Sequence, residues 1–120
     1  MGRFKGKITV VTGGAHGIGK AIADGFRGEG AAVHIIDRKP GDWFVGDVGN
    51  KDTLERFAEY VIQQGGHVDY LINNALPLMK GIGECTYEDF SRALAVGVTA
   101  PFYRTKRMIY HREHGWEYRV

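Results

Sequence analysis

The eight residues Thr12-Gly13-Gly14-Ala15-His16-Gly17-Ile18-Gly19 follow directly on the apolar run Ile8-Thr9-Val10-Val11. A strand that enters a glycine turn and then a helix opening at Gly17 makes a cradle for a phosphate. Backbone N–H groups at a helix start have no partner within the helix, and they lie at the positive end of its dipole. Gly13 permits the tight turn, Gly17 lets the backbone approach a pyrophosphate, and Gly19 lets the helix sit close on the strand. The spacing is G-x-x-x-G-x-G, not the commoner dinucleotide spacing G-x-G-x-x-G.

Three more sets of residues carry chemistry that suits the same ligand. Asp37 ends a second apolar run, at the roughly 20-residue interval where a carboxylate accepts from both hydroxyls of an adenine ribose. That carboxylate would repel a 2′-phosphate, so it favours NAD over NADP. Arg38, next in line, can turn to bind such a phosphate, which keeps the preference moderate. The plainer reading, that Asp37 only opens a turn before Pro40, weighs less beside a glycine turn at the right distance. Asp47-Val48 offers an acceptor for an adenine amino group and an apolar side chain to pack on the ring, although Gly-Asp is also a common turn. Asn73-Asn74-Ala75 can clamp neighbouring backbone, and a clamped strand end can also lie against a cofactor.

The elements that must position these residues alternate. Ile8 to Val11 reads as a buried strand, β-branched and continuous. Gly17 to Arg27 reads as a helix with Ile18, Ala21, Ile22, Gly25 and Phe26 on one face, stopped by Gly28 and Gly30. Ala32 to Ile36 is a second strand, completing a β-α-β unit. Residues 38–42 are too short and turn-rich for a crossover helix. Trp43 to Val45 makes a third strand and Val68 to Ile72 a fourth. Between them a helix runs from about Asp52 to Gln64, with Asp52 or Thr53 near its start. A long helix begins near Tyr87 or Glu88. Phe90, Leu94, Val98, Phe102, Thr105 and Ile109 form one stripe along it that faces something apolar, and Pro101 kinks it or adjusts a turn. Such alternation predicts an open parallel sheet with helices on both faces, a three-layer α/β/α domain over residues 1–120. Ligands bind such sheets at the carboxyl ends of the strands. Every motif above falls there.

Bulk properties exclude some classes. With 120 residues and a net charge of +2 from scattered basic residues, nothing argues for nucleic acid. Hydrophobic content of 43% and charged content of 25% are ordinary for a globular domain. The single Cys85 precludes an internal disulfide and suits a reducing compartment. No signal-like or membrane-length apolar run is present, so a cytoplasmic protein is expected. His111 and His114 flank Glu113, but no further ligand converges on them and no metal site is expected.

Taken in order and spacing, Thr12-Gly13-x-x-x-Gly17-Ile18-Gly19, Asp37, Asp47-Val48 and Asn73-Asn74-Ala75 resemble the short-chain dehydrogenase/reductase family, from about Lys7 to about Lys106. The resemblance implies a Rossmann-type doubly wound sheet that binds NAD(P), with hydride transfer between the nicotinamide and an alcohol or ketone. It places Gly13, Gly17, Ile18, Gly19, Asp37, Arg38, Asp47, Val48, Asn73, Asn74, Ala75 and Val96 around the cofactor. His16, of a type that varies in the family, is counted with them for its place in the turn beside the pyrophosphate. The resemblance also implies self-association through the long helix near residues 88–110.

The chain departs from the family pattern at three points. Leu76 stands where a glycine usually closes the Asn-Asn-Ala motif. In Val96-Gly97-Val98-Thr99-Ala100-Pro101-Phe102, Gly97 occupies the position of the family's catalytic asparagine. The family's serine and Tyr-x-x-x-Lys are not in the sequence. Tyr103 with Arg107 lies on the wrong helix, and arginine does not replace a lysine of tunable pKa. The chain therefore reads as the cofactor-holding first half of an oxidoreductase, with an atypical tail at 111–120. The alternative is a nucleotide-binding module without catalysis. A methyltransferase fits less well, since that class puts an acidic residue at the first glycine turn, where this chain has Thr12.

Overall fold

β1, Ile8–Thr12, is buried at every residue, as a central strand covered on both faces must be. In the computed structural model, which describes residues 2–75 and 81–110, β1 pairs in parallel with β2 (Ala32–Asp37) on one side and β4 (Tyr70–Ile72) on the other. β3 (Phe44–Val45) pairs in parallel with the end of β2, so the order is β3-β2-β1-β4. Successive residues of a strand face opposite sides, and the two cores divide accordingly. Val11 and Ile35 pack with Ala23 of α1 (Gly17–Gly28) on one face. Val10 and Ile36 pack on the other with Leu54, Phe57, Ala58 and Val61 of α2 (Lys51–Gly65). The sheet is the Rossmann-type arrangement expected, with helices on both faces.

Several boundaries differ from the expectations for local reasons. The cap of α2 is Asn50, whose side chain accepts from the Thr53 N–H at 3.0 Å, so the helix starts one residue ahead of Asp52. Trp43 is not in β3: its indole N–H donates to the Lys39 carbonyl at 2.7 Å, folding the residue back over the 38–43 link. β4 begins at Tyr70 because Asp69, ahead of it, is drawn to Ile8: its N–H donates to the Ile8 carbonyl and its carboxylate accepts from the Ile8 N–H. On α1 the packed residues are Gly19 and Ala23, with Ile22 partly buried. Ile18, Ala21 and Gly25, expected on that face, are exposed, because the close approach of the glycine turn rotates Gly19 toward the sheet.

The long helix is one continuous helical run in four parts. α3 (Tyr87–Leu94) starts at a reciprocal cap in which Thr86 accepts from the Asp89 N–H and Asp89 accepts from the Thr86 N–H. A wide π-helical turn, Ala95–Thr99, leads into α4 (Ala100–Arg104), and a second such turn spans Thr105–Tyr110. Pro101 has no N–H to give the preceding turn, and the adjusted turn foreseen at that point is the π turn just before it. The face laid on the sheet and α2 is Val96, Ala100, Tyr103 and Met108. The stripe of Phe90, Leu94, Val98 and Phe102 points away and is exposed, with Phe102 at 66%. Among the described residues no helix is long and apolar enough to cross a membrane.

Candidate functional site at the strand ends

β2 and β3 lie to one side of β1 and β4 to the other, so the strand order reverses between β1 and β4. A crevice opens at the carboxyl ends of strands at such a reversal. The β1–α1 turn occupies it. Gly13 (φ +66°) and Gly17 (φ +59°) adopt the left-handed backbone region that other residues enter only with strain. Gly19 is there for space: a Cβ on it would lie 2.2 Å from the Gly13 carbonyl oxygen and 2.4 Å from Asn74 Nδ2. Ahead of α1, His16 makes no side-chain cap bond, and the first turn holds no acidic residue. The first N–H groups of α1 therefore have no side-chain acceptor and remain donors for an anion.

Asp37 ties this turn to the end of β2. It is buried, and its carboxylate accepts from the Ala15 N–H at 3.1 Å and the Lys39 N–H at 2.9 Å. One oxygen faces each donor, so each keeps an acceptor position. His16 Nδ1 lies 3.8 Å from Asp37 Oδ2, and Arg38 is exposed beside it.

β4 is joined to β1 by a residue whose role the sequence did not disclose. The Thr12 hydroxyl oxygen accepts from the N–H groups of Asn74 and Ala75, each at 3.0 Å. Asn74 Nδ2 donates to the Gly13 carbonyl at 3.1 Å. Asn73 Oδ1 accepts from Arg104 Nε at 2.9 Å. The asparagines are thus clamps that hold the crevice floor, whatever else they touch.

Asp47 lies past β3, and both of its carboxylate oxygens face Arg92 of α3. Arg92 Nη1 donates to Oδ2 at 2.6 Å and Nη2 to Oδ1 at 2.8 Å, while the Gly49 N–H donates to Oδ1 at 2.8 Å. This fork holds the Asp47 carboxyl below its ordinary value of 3.8 and raises the Arg92 guanidinium. Val48 and Val96 are buried in the core, and Val96 lies against Gly49. Their side chains support the loop from beneath, and Val48 does not present its side chain for packing on a ring. A carboxylate whose folded pKa is depressed stabilises the fold above its unfolded pKa, and that contribution disappears as pH falls through the folded value. Asp47→Asn should therefore lower the melting temperature at about pH 7, and the gap to wild type should be smaller at about pH 3, below the carboxyl's ordinary value. Thermal unfolding followed by circular dichroism at the two pH values checks this.

Other expected positions stay apart from the crevice chemistry. Gly97 sits exposed in the first π turn and offers no side chain. The Tyr103 hydroxyl donates to Glu55 Oε1, Arg107 Nε donates to the same oxygen at 3.2 Å, and Lys51 lies over the Tyr103 ring. That pair packs α2 against the long helix. The expectations for Leu76 and for the 111–120 tail with its two histidines fall outside the described residues.

The model of the short chain dehydrogenase family matches residues 7–115. The chain belongs to that family. Momilactone A synthase of Oryza sativa subsp. japonica is 34% identical over 121 residues, covering 87% of this chain and 44% of that protein. The NADP-dependent (R)-specific alcohol dehydrogenase of Lentilactobacillus kefiri is 32% identical over 121 residues, covering 87% and 48%. The crystal structure of 3-ketoacyl-(acyl-carrier-protein) reductase from Brucella melitensis complexed with NADH superposes with a TM-score of 0.82 at 26% identity, covering 92% of this chain and 52% of that one. The chain spans about half the length of the relatives it matches.

Proposed function

We propose that this chain holds the adenosine and pyrophosphate side of a nicotinamide dinucleotide in an oxidoreductase that acts between an alcohol and a ketone. The observation that carries the reading is the uncapped start of α1 on a turn whose glycines cannot accept side chains, set in the crevice between β1 and β4. The residues present suit the dinucleotide. The first N–H groups of α1 hold the pyrophosphate, the remaining acceptor positions of Asp37 take the ribose hydroxyls, and Asp47 takes the adenine amino group. The cofactor, when bound, supplies a hydride or receives one. This chain's residues orient it, and the reaction belongs to the whole protein, of which family relatives are about twice as long.

NAD is the preferred form, because a 2′-phosphate would meet the Asp37 carboxylate at short range, and Arg38 moderates the difference without reversing it. Tyr87, Phe90, Leu94, Val98 and Phe102 are all exposed along α3, the first π turn and α4, and a second copy of the chain is the partner that covers them. Separate fluorescence titrations with NADH and NADPH test the cofactor reading. Saturable binding of both with NADH tighter is expected. Tighter NADPH overturns the role of Asp37, and binding of neither overturns the function.

A further inference from the structure

Past the end of β3 lies a residue that no motif points to. Arg92 reaches across from α3 to Asp47 with both Nη atoms, a two-point fork of 2.6 and 2.8 Å. The loop is built around it. Gly49 follows Asp47 by two residues, and a Cβ there would lie 3.2 Å from Arg92 Nη1 and 3.1 Å from Val96 Cγ2. Any side chain at that position would crowd the guanidinium, so the loop stays bare where the fork passes. Arg92 is itself placed by a strongly defined helix start, the reciprocal Thr86–Asp89 cap one turn before it.

The fork determines what Asp47 can still do. An ionised carboxylate offers about four acceptor positions on two oxygens. Oδ1 accepts from Arg92 and Gly49, whereas Oδ2 accepts from Arg92 alone. One position, on Oδ2, is left. Because two parallel bonds fix the plane of the carboxylate, that last position has a fixed direction. Asp47 and Arg92 are both partly exposed, so the position is open to a ligand.

We propose that Arg92 is a positioning residue for base recognition: its fork aims the one remaining lone pair of Asp47 Oδ2 at the exocyclic amino group of a bound adenine. This rests on the cofactor reading above and adds a specificity to it. A base with an amino group at that place donates to Oδ2. Hypoxanthine, with a carbonyl oxygen there, sets acceptor against carboxylate and is refused. Without the guanidinium fork, only the Gly49 N–H still holds the carboxylate, its plane is no longer fixed, and the distinction between the bases fades. Lysine, a single point charge, cannot reproduce a planar two-point contact.

The test compares NADH with its hypoxanthine analogue on wild type, Arg92→Lys and Arg92→Met by equilibrium binding. Wild type should prefer NADH by about tenfold, the size of one hydrogen bond to a charged acceptor. Arg92→Met should reduce the preference to about twofold or less, with affinity for the hypoxanthine analogue nearly unchanged. Arg92→Lys should fall between, and it keeps the experiment decisive if the methionine variant folds poorly. Full base preference in both variants overturns the proposal. Equal loss of affinity for both dinucleotides overturns it too, since that marks a purely structural role. A wild type that binds the two equally well contradicts base recognition by Asp47 while leaving the cofactor reading intact. A wild type that binds neither overturns the cofactor reading, and Arg92's assignment with it.

Discussion

Gly19→Ala is expected to remove dinucleotide binding and a large share of the stability of the fold. The added methyl would lie 2.2 Å from a backbone oxygen and 2.4 Å from the Asn74 amide. The oxygen belongs to Gly13, which is itself fixed in a left-handed turn, so it cannot step aside cheaply. The helix must lift from the strand, which breaks the Asn74 bond to Gly13 and opens the cradle. Forced overpacking of this kind costs about 1–3 kcal/mol, a serious loss for a domain of marginal stability. Affinity for NADH should drop by at least about tenfold, since misplacing the first-turn N–H groups weakens several contacts to one anion at once. Gly25→Ala on the same helix is the control. A Cβ there meets nothing within 4 Å, and the change should stabilise the helix by about 0.5–1 kcal/mol. Urea unfolding of the two variants should move in opposite directions. Equal, small shifts would show that the α1–β1 approach is not under the constraint described.

Arg104→Met is expected to stabilise the protein, an unusual sign for a change in a core. Arg104 is 1% exposed, and among the described residues its two Nη atoms have no hydrogen-bond partner. Only Nε is engaged, with Asn73. Burial alone pushes its pKa down to about 10. A buried charge without a counter-charge is costly, and replacing buried ionic groups by apolar side chains of similar volume is often neutral or stabilising by about 1–4 kcal/mol. Methionine matches the unbranched stem and fills the same space. Asn73 is itself exposed, so water takes the place of Nε at its Oδ1. A gain of about 2 kcal/mol should raise the melting temperature by several degrees. A lower melting temperature would contradict this account and show that the guanidinium does have an acceptor.

The parts of this fold that sequence disclosed are those governed by neighbours in the chain. Continuous apolar runs at 8–11 and 32–36 are strands because only burial on both faces tolerates them. The glycine turn is recognisable because three positions forbid side chains for three local reasons. Asp37 follows from its distance to that turn. The residues that complete the site were hidden because their partners lie far along the chain. Arg92 meets Asp47 45 positions away and Arg104 meets Asn73 31 away, and no local pattern encodes either pairing. The long helix misled for a different reason. An apolar row at 90, 94, 98 and 102 shows which residues avoid water, but not which surface covers them. The face that the sheet covers runs through Val96, Ala100 and Met108 with Arg104 in line, and the arginine interrupts what would otherwise read as a core row.

On the function proposed above, the crevice between β1 and β4 holds a nicotinamide dinucleotide by its adenosine and pyrophosphate. Calorimetric titration of the chain with NADH tests it most directly. Saturable binding at one site per chain is expected, and its loss in Gly19→Ala. Absence of binding to the wild-type chain, or undiminished binding to Gly19→Ala, would contradict it.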